Sequence, residues 1–304
     1  MAGHALAASP WRAPGELADS PYNGAVPAAA IVSDADAAHA LEVAVDAARV
    51  AGRLQLERLG KVGEIRRKSA RDVVTEVDHL SERLIIEVLR AAFPGDAVLA
   101  EESGEHATAG GAGPTAGTGR AWVVDPLDGT VNYANAVPVF SVSIGLAVDG
   151  VPAVGVVLDP VRDEIFTAVR GRGAHLNDRP IRNPEKAALD EYLIALGYSP
   201  RDWRSDLGDL RRSVRAARHF GSSALELSYV AAGRLDACVL PTGMSNWDVA
   251  AGGLIAEEGG ALVTAADGSP WFDLSRPATT IGIIAAPARH HGRILELFRA
   301  AGPG

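Results

Sequence analysis

The stretch that decides the fold is Trp122-Val123-Val124-Asp125-Pro126-Leu127-Asp128-Gly129-Thr130, an apolar run that ends in two carboxylates and a glycine. A short apolar run bounded by turn residues of this kind is typical of a buried β-strand. Pro126 restricts the backbone between the two acids, and Gly129 permits a tight turn into the next segment. We therefore expect a buried strand that carries Asp125 and Asp128 at its carboxyl end.

The two carboxylates of this stretch suit a hard divalent cation. Mg²⁺ takes oxygen ligands in octahedral geometry, and the Leu127 carbonyl lies between Asp125 and Asp128. The Gly129 and Thr130 amides begin the next segment, where unpaired N–H groups can hold a phosphate. The alternative is an Asp-rich turn in which Asp128 caps a helix, and the stretch alone leaves both interpretations open.

The residues that follow predict a β-meander. Two apolar runs, Val139–Val148 and Val151–Leu158, flank Asp149-Gly150, which is the favoured two-residue turn of a β-hairpin. Glu164–Val169 is expected to continue the meander as a further strand. This part of the chain therefore predicts an antiparallel sheet built from neighbouring strands.

Two amphipathic helices are predicted before the deciding stretch. Ala37–Leu59 has apolar residues at helical spacing and is expected to end at Gly60. Thr75 is the expected N-cap of the second helix, with Asp78 in its first turn. Phe93-Pro94-Gly95 ends this second helix, because proline and glycine both interrupt helical backbone.

Two segments lack helical or strand periodicity. Residues 1–36 are rich in Ala, Pro, Gly and Ser and are expected to form a loose N-terminal extension. Ser103–Gly119 is rich in Gly, Ala and Thr, which is typical of a mobile surface loop. Ala97–Ala100 and Ala121–Val124, on either side of this loop, are predicted as short strands.

The pattern changes after about residue 185, where strands begin to alternate with helices. The predicted elements are strands near Tyr192–Leu196 and Ala237–Leu240 and helices near Ser222–Ala232, Asp248–Glu258 and Arg289–Ala301. Such an alternation indicates a second α/β half. We expect an α/β (α+β) chain with the extension at 1–36, an N-terminal half at 37–185 and a C-terminal half at 186–304.

Composition limits the classes of function. The 304 residues contain 29 Lys and Arg against 38 Asp and Glu, a net charge of −9. This balance argues against nucleic-acid and anionic-membrane partners, which need clustered cations. Cys238 is the only cysteine, so there is no internal disulfide and no cysteine-based metal site. With no apolar run of membrane-spanning length and no secretory signal, we expect a cytoplasmic location.

Several further acids and histidines could take part in catalysis or metal binding, or could have only a structural or solvent-exposed role. Glu101-Glu102 ends a predicted strand and could be a solvated pair. Asp248 and Asp78 each open a helix, so simple capping would explain both. The eight histidines show no metal-ligand spacing, and His290-His291 is expected at the surface. None of these residues is decisive alone.

Their order along the chain is distinctive. Four motifs together resemble the inositol monophosphatase family of Mg²⁺-dependent, lithium-sensitive phosphatases: D-V-V-T-E-V-D at 72–78, A-E-E-S at 100–103, W-V-V-D-P-L-D-G-T at 122–130 and W-D-V-A-A-G at 247–252. The resemblance implies a layered αβαβα sandwich shared with fructose-1,6-bisphosphatases. It also implies a homodimer, two or three Mg²⁺ ions, with Mn²⁺ as an alternative ion, and a phosphorylated small molecule as substrate.

The resemblance also implies roles for individual residues. Glu101, Asp125 and the Leu127 carbonyl match ligands of a first metal ion, and Glu101 matches a residue that supports a third ion as well. Asp125, Asp128 and Asp248 match ligands of a second ion. Five acids of the chain, these four and Asp78, would then belong to one site. Bound metal ions would make that site locally positive, so a protein of net negative charge could still bind an anionic substrate.

Catalytic and substrate roles follow in the same way. Asp78 and Thr130 match the pair that orients and deprotonates the attacking water, and Gly129 joins Thr130 in binding phosphate. Lys68 matches a basic position near the metal and phosphate site, although an exposed lysine in a basic turn explains it equally well. The expected substrate contacts are Asp128, Asp248 and the turn Gly221-Ser222-Ser223.

One departure from the family concerns the substrate. Inositol monophosphatases have a glutamate six residues before the Trp-Asp pair, where this chain has Pro241. Phosphatase activity on a sugar, polyol or nucleoside phosphate is the expected function, with histidinol phosphate, fructose 1,6-bisphosphate and pathway-specific nucleotides as alternatives. A regulatory or scaffolding role is the non-enzymatic alternative. Dinucleotide binding is disfavoured, because the glycine cluster Gly110–Gly117 lacks the required spacing.

Overall fold

The computed structural model describes residues 33–68, 73–106, 113, 119–197 and 207–300. Most of the expected extension at 1–36 and of the loop at Ser103–Gly119 lies outside these ranges, and so does the glycine cluster at 110–117 except for Gly113. None of the helices in the described ranges is both long enough and apolar enough to cross a membrane.

The helices of the described ranges are α1 Asp34–Arg58, α2 Glu76–Ala92, α3 Thr130–Ala134, α4 Gly208–Ser213, α5 Ser223–Ala231, α6 Asn246–Glu258 and α7 Ala288–Ala300, with a 3₁₀ turn at Leu189–Glu191. The strands are β1 Ile65–Arg67, β2 Val73–Thr75, β3 Ala97–Ala100, β4 Gly104–His106, β5 Arg120–Asp128, β6 Ser141–Val148, β7 Val151–Asp159, β8 Glu164–Val169, β9 Ala174–Leu176, β10 Arg179–Ile181, β11 Leu193–Leu196, β12 Ala216–Arg218, β13 Ala237–Met244, β14 Leu262–Ala265 and β15 Ile281–Ala286.

The two N-terminal helices form where the sequence predicts them. The first, α1, begins three residues earlier than expected, because the Ser33 hydroxyl accepts a hydrogen bond from the Asp36 amide and caps the helix there. The second, α2, is capped by Thr75 as predicted, and Asp78 completes a reciprocal capping box with it. Residues 34–36 are therefore helical rather than part of an extension.

An eight-stranded sheet in the order β10-β9-β8-β7-β6-β5-β3-β4 forms the larger layer. The predicted hairpin is confirmed, with β6 and β7 antiparallel around Asp149-Gly150. β3 runs parallel to β5, so the carboxyl ends of both strands meet at one edge. β4 corrects the expectation of a loop from Ser103 onwards, because its backbone pairs antiparallel with β3.

Helices α1 and α2 cover one face of this sheet. The buried side of α1 consists mostly of alanine, together with Gly52 and Gln55. A Cβ at Gly52 would lie 2.7 Å from a methyl group of Leu158 on β7. Small side chains therefore let α1 pack closely on the sheet, where larger ones would hold it away.

Helices α5 and α6 cover the opposite face and are buried on nearly all sides, as expected for helices between two other layers. Two glycines of the sheet receive α6. A Cβ at Gly145 would lie 2.9 Å from the Ala250 Cβ, and a Cβ at Gly155 would lie 2.9 Å from the Ala251 carbonyl oxygen. The missing side chains at these two glycines therefore allow α6, the helix that carries Asp248, to pack closely on the sheet.

A five-stranded sheet in the order β12-β11-β13-β15-β14 lies on the other side of α5 and α6. Its far face packs against α4 and α7 through Leu210, Ile294 and Leu297. The order of layers is thus helix, sheet, helix, sheet, helix, which confirms the predicted αβαβα sandwich.

Some local expectations need correction, and one stays open. The predicted strands at Ala121–Val124 and Ala237–Leu240 both continue further, to Asp128 and Met244. His291 is buried against Thr264 rather than exposed, because it faces the sheet from α7. The division at residues 185 and 186 falls between the last strand of the larger sheet and the first of the smaller one, and it stays a prediction.

Candidate active site

Asp125 and Asp128 converge because β5 contains a β-bulge. In a regular strand, residues three apart point to opposite faces. Asp125 pairs with Ser143 and Asp128 with Ser141, so three steps along β5 match two along β6. This extra residue reverses the alternation between the two acids and brings both carboxylates to the same side. The Gln55 amide fixes the bulge by donating a 2.7 Å hydrogen bond to the Pro126 carbonyl.

Asp248 joins them from the first turn of α6. One oxygen of each of Asp125, Asp128 and Asp248 lies within 4.8 Å of the other two. The Asp248 Oδ2 accepts a 2.5 Å hydrogen bond from the Ser245 amide and so closes a capping box. Asp248 is therefore both the capping-box residue of α6 and a member of the acidic cluster. Its carboxylate can do both because it has two oxygens.

Asp128 is held by the N-terminus of α5. Its Oδ2 accepts hydrogen bonds from the Ala224 amide at 2.8 Å and the Ser222 hydroxyl at 2.6 Å. Its Oδ1 accepts one from the Ser223 amide at 3.1 Å, and Ser141 donates to Oδ2 from β6 at 3.2 Å. The positive end of a helix thus stabilises this carboxylate, as it would any anion.

Asp78 lies beside the cluster and is bonded to Thr130. The Thr130 hydroxyl is 2.9 Å from Asp78 Oδ1 and 3.0 Å from the Leu127 carbonyl oxygen. The Asp78 Oδ2 accepts from the Thr75 amide at 2.9 Å and from the Thr75 hydroxyl at 2.5 Å. The capping interpretation of Asp78 is correct, and it leaves Oδ1 directed at Thr130.

Crowding and burial disfavour the ionised carboxylates of the cluster. Burial, followed by repulsion from Glu101, Asp128 and Asp248, raises the pKa of Asp125 well above its usual value. Burial and the same kind of repulsion raise the pKa of Asp248. Burial raises the pKa of Asp128 to about 6, although its hydrogen bonds to α5 oppose the change. Burial also raises the pKa of Asp78.

Glu101 and Glu102 lie in the turn that follows β3, at the rim of the same site. Lys68 Nζ lies 2.8 Å from Glu101 Oε1 and 2.6 Å from Glu102 Oε1. Burial opposes the charge on Lys68, but the two carboxylates outweigh it and raise the lysine pKa. Burial raises the pKa of Glu102 to about 7. The solvated-pair interpretation of the two glutamates is thus wrong, because both carboxylates bind Lys68 Nζ beside the cluster. Lys68 is exposed, as its alternative interpretation expected, but its ammonium group is paired with these two carboxylates.

The donor set fits a hard divalent cation. The oxygens of two buried carboxylates, Asp125 and Asp128, converge with one of the half-buried Asp248, and the three groups repel one another. A cation between them would remove that repulsion. All available ligand atoms are oxygens, which suits Mg²⁺ or Mn²⁺ rather than zinc held by sulfur or imidazole. Glu101 lies outside the group within 4.8 Å but next to Asp125, where it could serve a neighbouring ion.

A cavity of about 480 Å³ opens above the carboxylates. The predicted residues that line it are Lys68, Glu101, Asp125, Leu127, Asp128, Gly129, Thr130, Gly221, Ser223 and Asp248. Gly129 and Gly221 meet in the lining of the cavity, since a Cβ on Gly129 would lie 3.1 Å from the Gly221 carbonyl oxygen. Both have positive φ angles, of 100° and 76°, so side chains are disfavoured there on two grounds.

Ser222 and Pro241 were both expected on the substrate side of the site, and neither lines the cavity. Ser222 is fully buried, and its hydroxyl donates a hydrogen bond to Asp128, so it positions this carboxylate. Pro241 is buried in β13 and does not line the cavity, whereas Gly243 and Met244 do. A bulge in β13 between Leu240 and Met244 turns these residues toward the cavity.

Sequence reasoning missed Glu102, Ser141 and Thr279 as members of the site. Glu102 is adjacent to a predicted ligand, and its carboxylate is a usable signal. Thr279 lines the cavity because of a turn before β15, and no local pattern indicates it. Met244 belongs to the segment before the Trp-Asp pair, which the family resemblance assigns to the substrate side. Ser141 acts through a cross-strand contact that depends on the register of β5 and β6.

Comparisons with known proteins agree with this geometry. A family model described as the inositol monophosphatase family matches residues 36–302. The Nus factor SuhB of Pseudomonas aeruginosa is 42% identical over 243 residues, covering 76% of this chain and 87% of the relative. The inositol-1-monophosphatase of Synechocystis sp. is 37% identical over 277 residues, covering 89% and 92%. The crystal structure of extragenic suppressor protein suhB from Bartonella henselae matches with a TM-score of 0.77 and 35% identity, covering 88% and 99%.

Proposed function

The chain belongs to the inositol monophosphatase family, and on that basis we propose that it is a Mg²⁺-dependent phosphomonoesterase. Its substrate would be a small sugar, polyol or nucleoside phosphate. The observation that carries this proposal is the convergence of Asp125, Asp128 and Asp248 within 4.8 Å beneath a cavity, with the Asp78–Thr130 pair beside them.

Two or three Mg²⁺ ions, or Mn²⁺ in their place, would be held by five groups of this chain. They are the carboxylates of Glu101, Asp125, Asp128 and Asp248 and the Leu127 carbonyl. When bound, such ions lower the pKa of a coordinated water and stabilise the negative charge of the phosphoryl group and the leaving oxygen. This chemistry needs no Ser, Cys or His nucleophile.

Thr130 and Asp78 are proposed to orient the attacking water and to accept its proton. When the Thr130 hydroxyl donates to Asp78 Oδ1, its lone pairs remain free to accept a hydrogen bond from a water. Burial raises the pKa of Asp78 and so makes its carboxylate a stronger base. A proton can then pass from the water to Thr130 while the Thr130 proton passes to Asp78.

The remaining residues are proposed to bind the ester. Gly129 lines the cavity and has no side chain, so its backbone and that of Thr130 can approach the phosphate. Lys68 would add positive charge at the rim, next to Glu101. Phosphoryl transfer depends mainly on positioning and charge neutralisation, which these groups supply.

The testing experiment is a phosphate-release assay with and without Mg²⁺. The substrates are inositol 1-phosphate, histidinol phosphate, fructose 1,6-bisphosphate, a nucleoside monophosphate and 3′-phosphoadenosine 5′-phosphate. We expect release from at least one ester, loss of release with EDTA, and inhibition by Li⁺. Release that persists in EDTA would contradict the proposed metal chemistry.

A regulatory role is the second candidate, because a relative 42% identical over 243 residues is named a Nus factor. The complete set of carboxylates favours the enzyme, since a purely structural protein gains nothing from buried mutual repulsion. Folded protein that binds Mg²⁺ yet hydrolyses none of the esters would favour the regulatory role.

The assembly and location are also proposals. We propose a homodimer in the cytoplasm, without nucleic-acid or membrane partners. Light scattering on the purified protein should then give a mass of about twice the 31.5 kDa of one chain. A mass of one chain at micromolar concentration would contradict the dimer.

A further inference from the structure

A polar side chain, Gln55, lies among the small apolar residues on the buried side of α1. It is fully buried, and the other buried residues of this helix are alanines and one glycine. Burying an amide is unfavourable unless its donor and acceptor both find partners. The Gln55 Oε1 accepts no hydrogen bond from the described residues, so the favourable polar contacts of this side chain are those of its Nε2 donor.

The Gln55 amide donates to the bulge of β5. Its Nε2 lies 2.7 Å from the Pro126 carbonyl oxygen and 3.4 Å from the Ser81 hydroxyl. The ladder between β5 and β6 shifts its register between Asp125 and Asp128, and Pro126 has no residue of β6 as its partner there. A helix from the neighbouring layer therefore supplies the hydrogen bond that a regular strand would receive from its neighbour.

The peptide between Pro126 and Leu127 carries this contact to a proposed metal ligand. Within a trans peptide the C=O and N–H bonds share one plane and point in opposite directions. The Pro126 carbonyl faces Gln55, so the Leu127 amide points the other way. That amide donates to Asp125 Oδ1 at 3.0 Å. The Gln55 amide and the Asp125 carboxylate are thus bonded to opposite edges of a single rigid unit.

The Asp125 carboxylate faces its neighbours in spite of their charge. One of its oxygens lies within 4.8 Å of an oxygen of Asp128 and of one of Asp248. Without the bond to Leu127, repulsion would favour rotation of this carboxylate away from both. The main chain therefore keeps the ligand oxygens together before a cation arrives, so less ordering is needed when one binds.

The backbone of Gln55 holds the segment that follows the bulge. The Tyr133 hydroxyl donates to the Gln55 carbonyl oxygen at 2.8 Å, and Tyr133 belongs to α3, which begins at Thr130. One residue of α1 thus contacts both the bulge and the helix after it. No described residue of α1 lines the cavity, so this influence on the site is indirect.

We propose that Gln55 is a positioning residue of the metal site, because its amide fixes the Pro126–Leu127 peptide and, through it, the direction of the Asp125 carboxylate. This inference rests on the proposed metal-dependent function. Loss of a group that orients a metal ligand lowers metal affinity by about 10- to 100-fold. Removing the Gln55 donor should therefore weaken Mg²⁺ binding while the fold is retained.

Gln55→Met tests the donor, because methionine fills a similar volume and has no proton to donate. We expect the dissociation constant of Mg²⁺, measured by isothermal titration calorimetry on the full chain, to rise about tenfold or more. The Mg²⁺ concentration that gives half-maximal phosphate release should rise equally, with kcat at saturating Mg²⁺ within about twofold of the parent. Gln55→Asn, which withdraws the amide by one methylene, should also weaken binding and serves if the methionine variant does not fold.

Two control variants separate positioning from stability. Ser81→Ala removes the longer contact of the same amide and should leave the Mg²⁺ dissociation constant unchanged. Ala47→Gly weakens α1 on its buried side, so it should lower the melting temperature and leave Mg²⁺ affinity unchanged. An equal loss of Mg²⁺ affinity in Ala47→Gly would show that Gln55 acts only through the packing of α1, and would overturn the positioning role.

The binding measurement distinguishes this inference from the phosphatase proposal. Parent-like Mg²⁺ affinity in folded Gln55→Met, with phosphate release intact, would overturn the inference alone. Weaker Mg²⁺ binding by Gln55→Met, in a protein that releases phosphate from no ester, would support the role of Gln55 and contradict the phosphatase. A parent chain that binds no Mg²⁺ would overturn both.

Discussion

Two sets of residues that line the cavity are held in different ways. The acidic cluster Asp125, Asp128 and Asp248 is called the floor here, and the uncharged residues Ser223, Met244 and Thr279 are called the wall. Each floor carboxylate is bonded to backbone amides: Asp248 to Ser245, Asp128 to α5 and Asp125 to Leu127. The wall depends on one hydroxyl–thioether contact and one strained turn. A floor held by the main chain tolerates little change, whereas a wall made by side chains can change without disturbing the fold. The chemistry of such a protein is therefore easier to infer than its substrate.

Removing one floor carboxylate should have the largest effect. Asp125→Asn keeps an oxygen for the Leu127 amide but removes a charged ligand, so we expect kcat/KM to fall by about three orders of magnitude at saturating Mg²⁺. Metal-free Asp125→Asn should melt at a higher temperature than the metal-free parent, because repulsion in the cluster is relieved.

Asp163→Asn is the matched control for that substitution, because Asp163 lies in an exposed turn with a φ of 51° that Asn also tolerates. It should leave both activity and melting unchanged. Parent-like phosphate release from Asp125→Asn would remove this residue from the proposed ligands.

The pair beside the floor should give the next largest effect. Thr130→Val retains the shape but removes the hydroxyl bonded to Asp78, so kcat should fall about 100-fold with a smaller change in KM. Steady-state phosphate release measures both constants. Thr167→Val, on the larger sheet outside the cavity, should have neither effect, and a change confined to KM in Thr130→Val would argue against a role in proton transfer.

The carboxylates of the floor should also make the stabilisation of the folded protein by Mg²⁺ depend on pH. Folded metal-free protein holds the pKa of Asp128 at about 6 and those of Asp125 and Asp248 well above their usual values. It then binds more protons than the unfolded chain above about pH 4, so its stability falls as pH rises. The increase in melting temperature on adding Mg²⁺ should therefore be larger at pH 8 than at pH 5. An equal or larger increase at pH 5 would contradict this sign.

Relieving strain in the wall should give the smallest effect. Thr279→Gly removes the left-handed strain, which offsets the roughly 1 kcal/mol that glycine costs elsewhere, so the free energy of unfolding should change little. Activity on a polyol monophosphate should fall a few-fold, because the wall loses its side chain. Thr280→Gly is the control, because Thr280 lies outside the left-handed region. It should lower the free energy of unfolding by about 1 kcal/mol and leave activity unchanged. Equal destabilisation of both variants in urea titrations would show that Thr279 is unstrained.

Much of the fold was predictable because its signals are local. Asp149-Gly150 marks its hairpin, and Thr75 with Asp78 marks the start of α2, through interactions within three or four residues. The bulge in β5 was not predictable, although the convergence of Asp125 and Asp128 depends on it, because it is set by pairing with β6 and by the Gln55 amide.

The sequence by itself determined the class of site: acids at the ends of predicted elements, in an order that resembles one family. The tertiary structure alone decided how each acid is used. Asp128 meets Ser223 across 95 residues of chain, and Thr279 meets Ser245 across 34. Local propensities report only on neighbours along the chain, whereas a carboxylate's charge, its hydrogen-bond donors and the wall facing it come from distant segments that packing brings together.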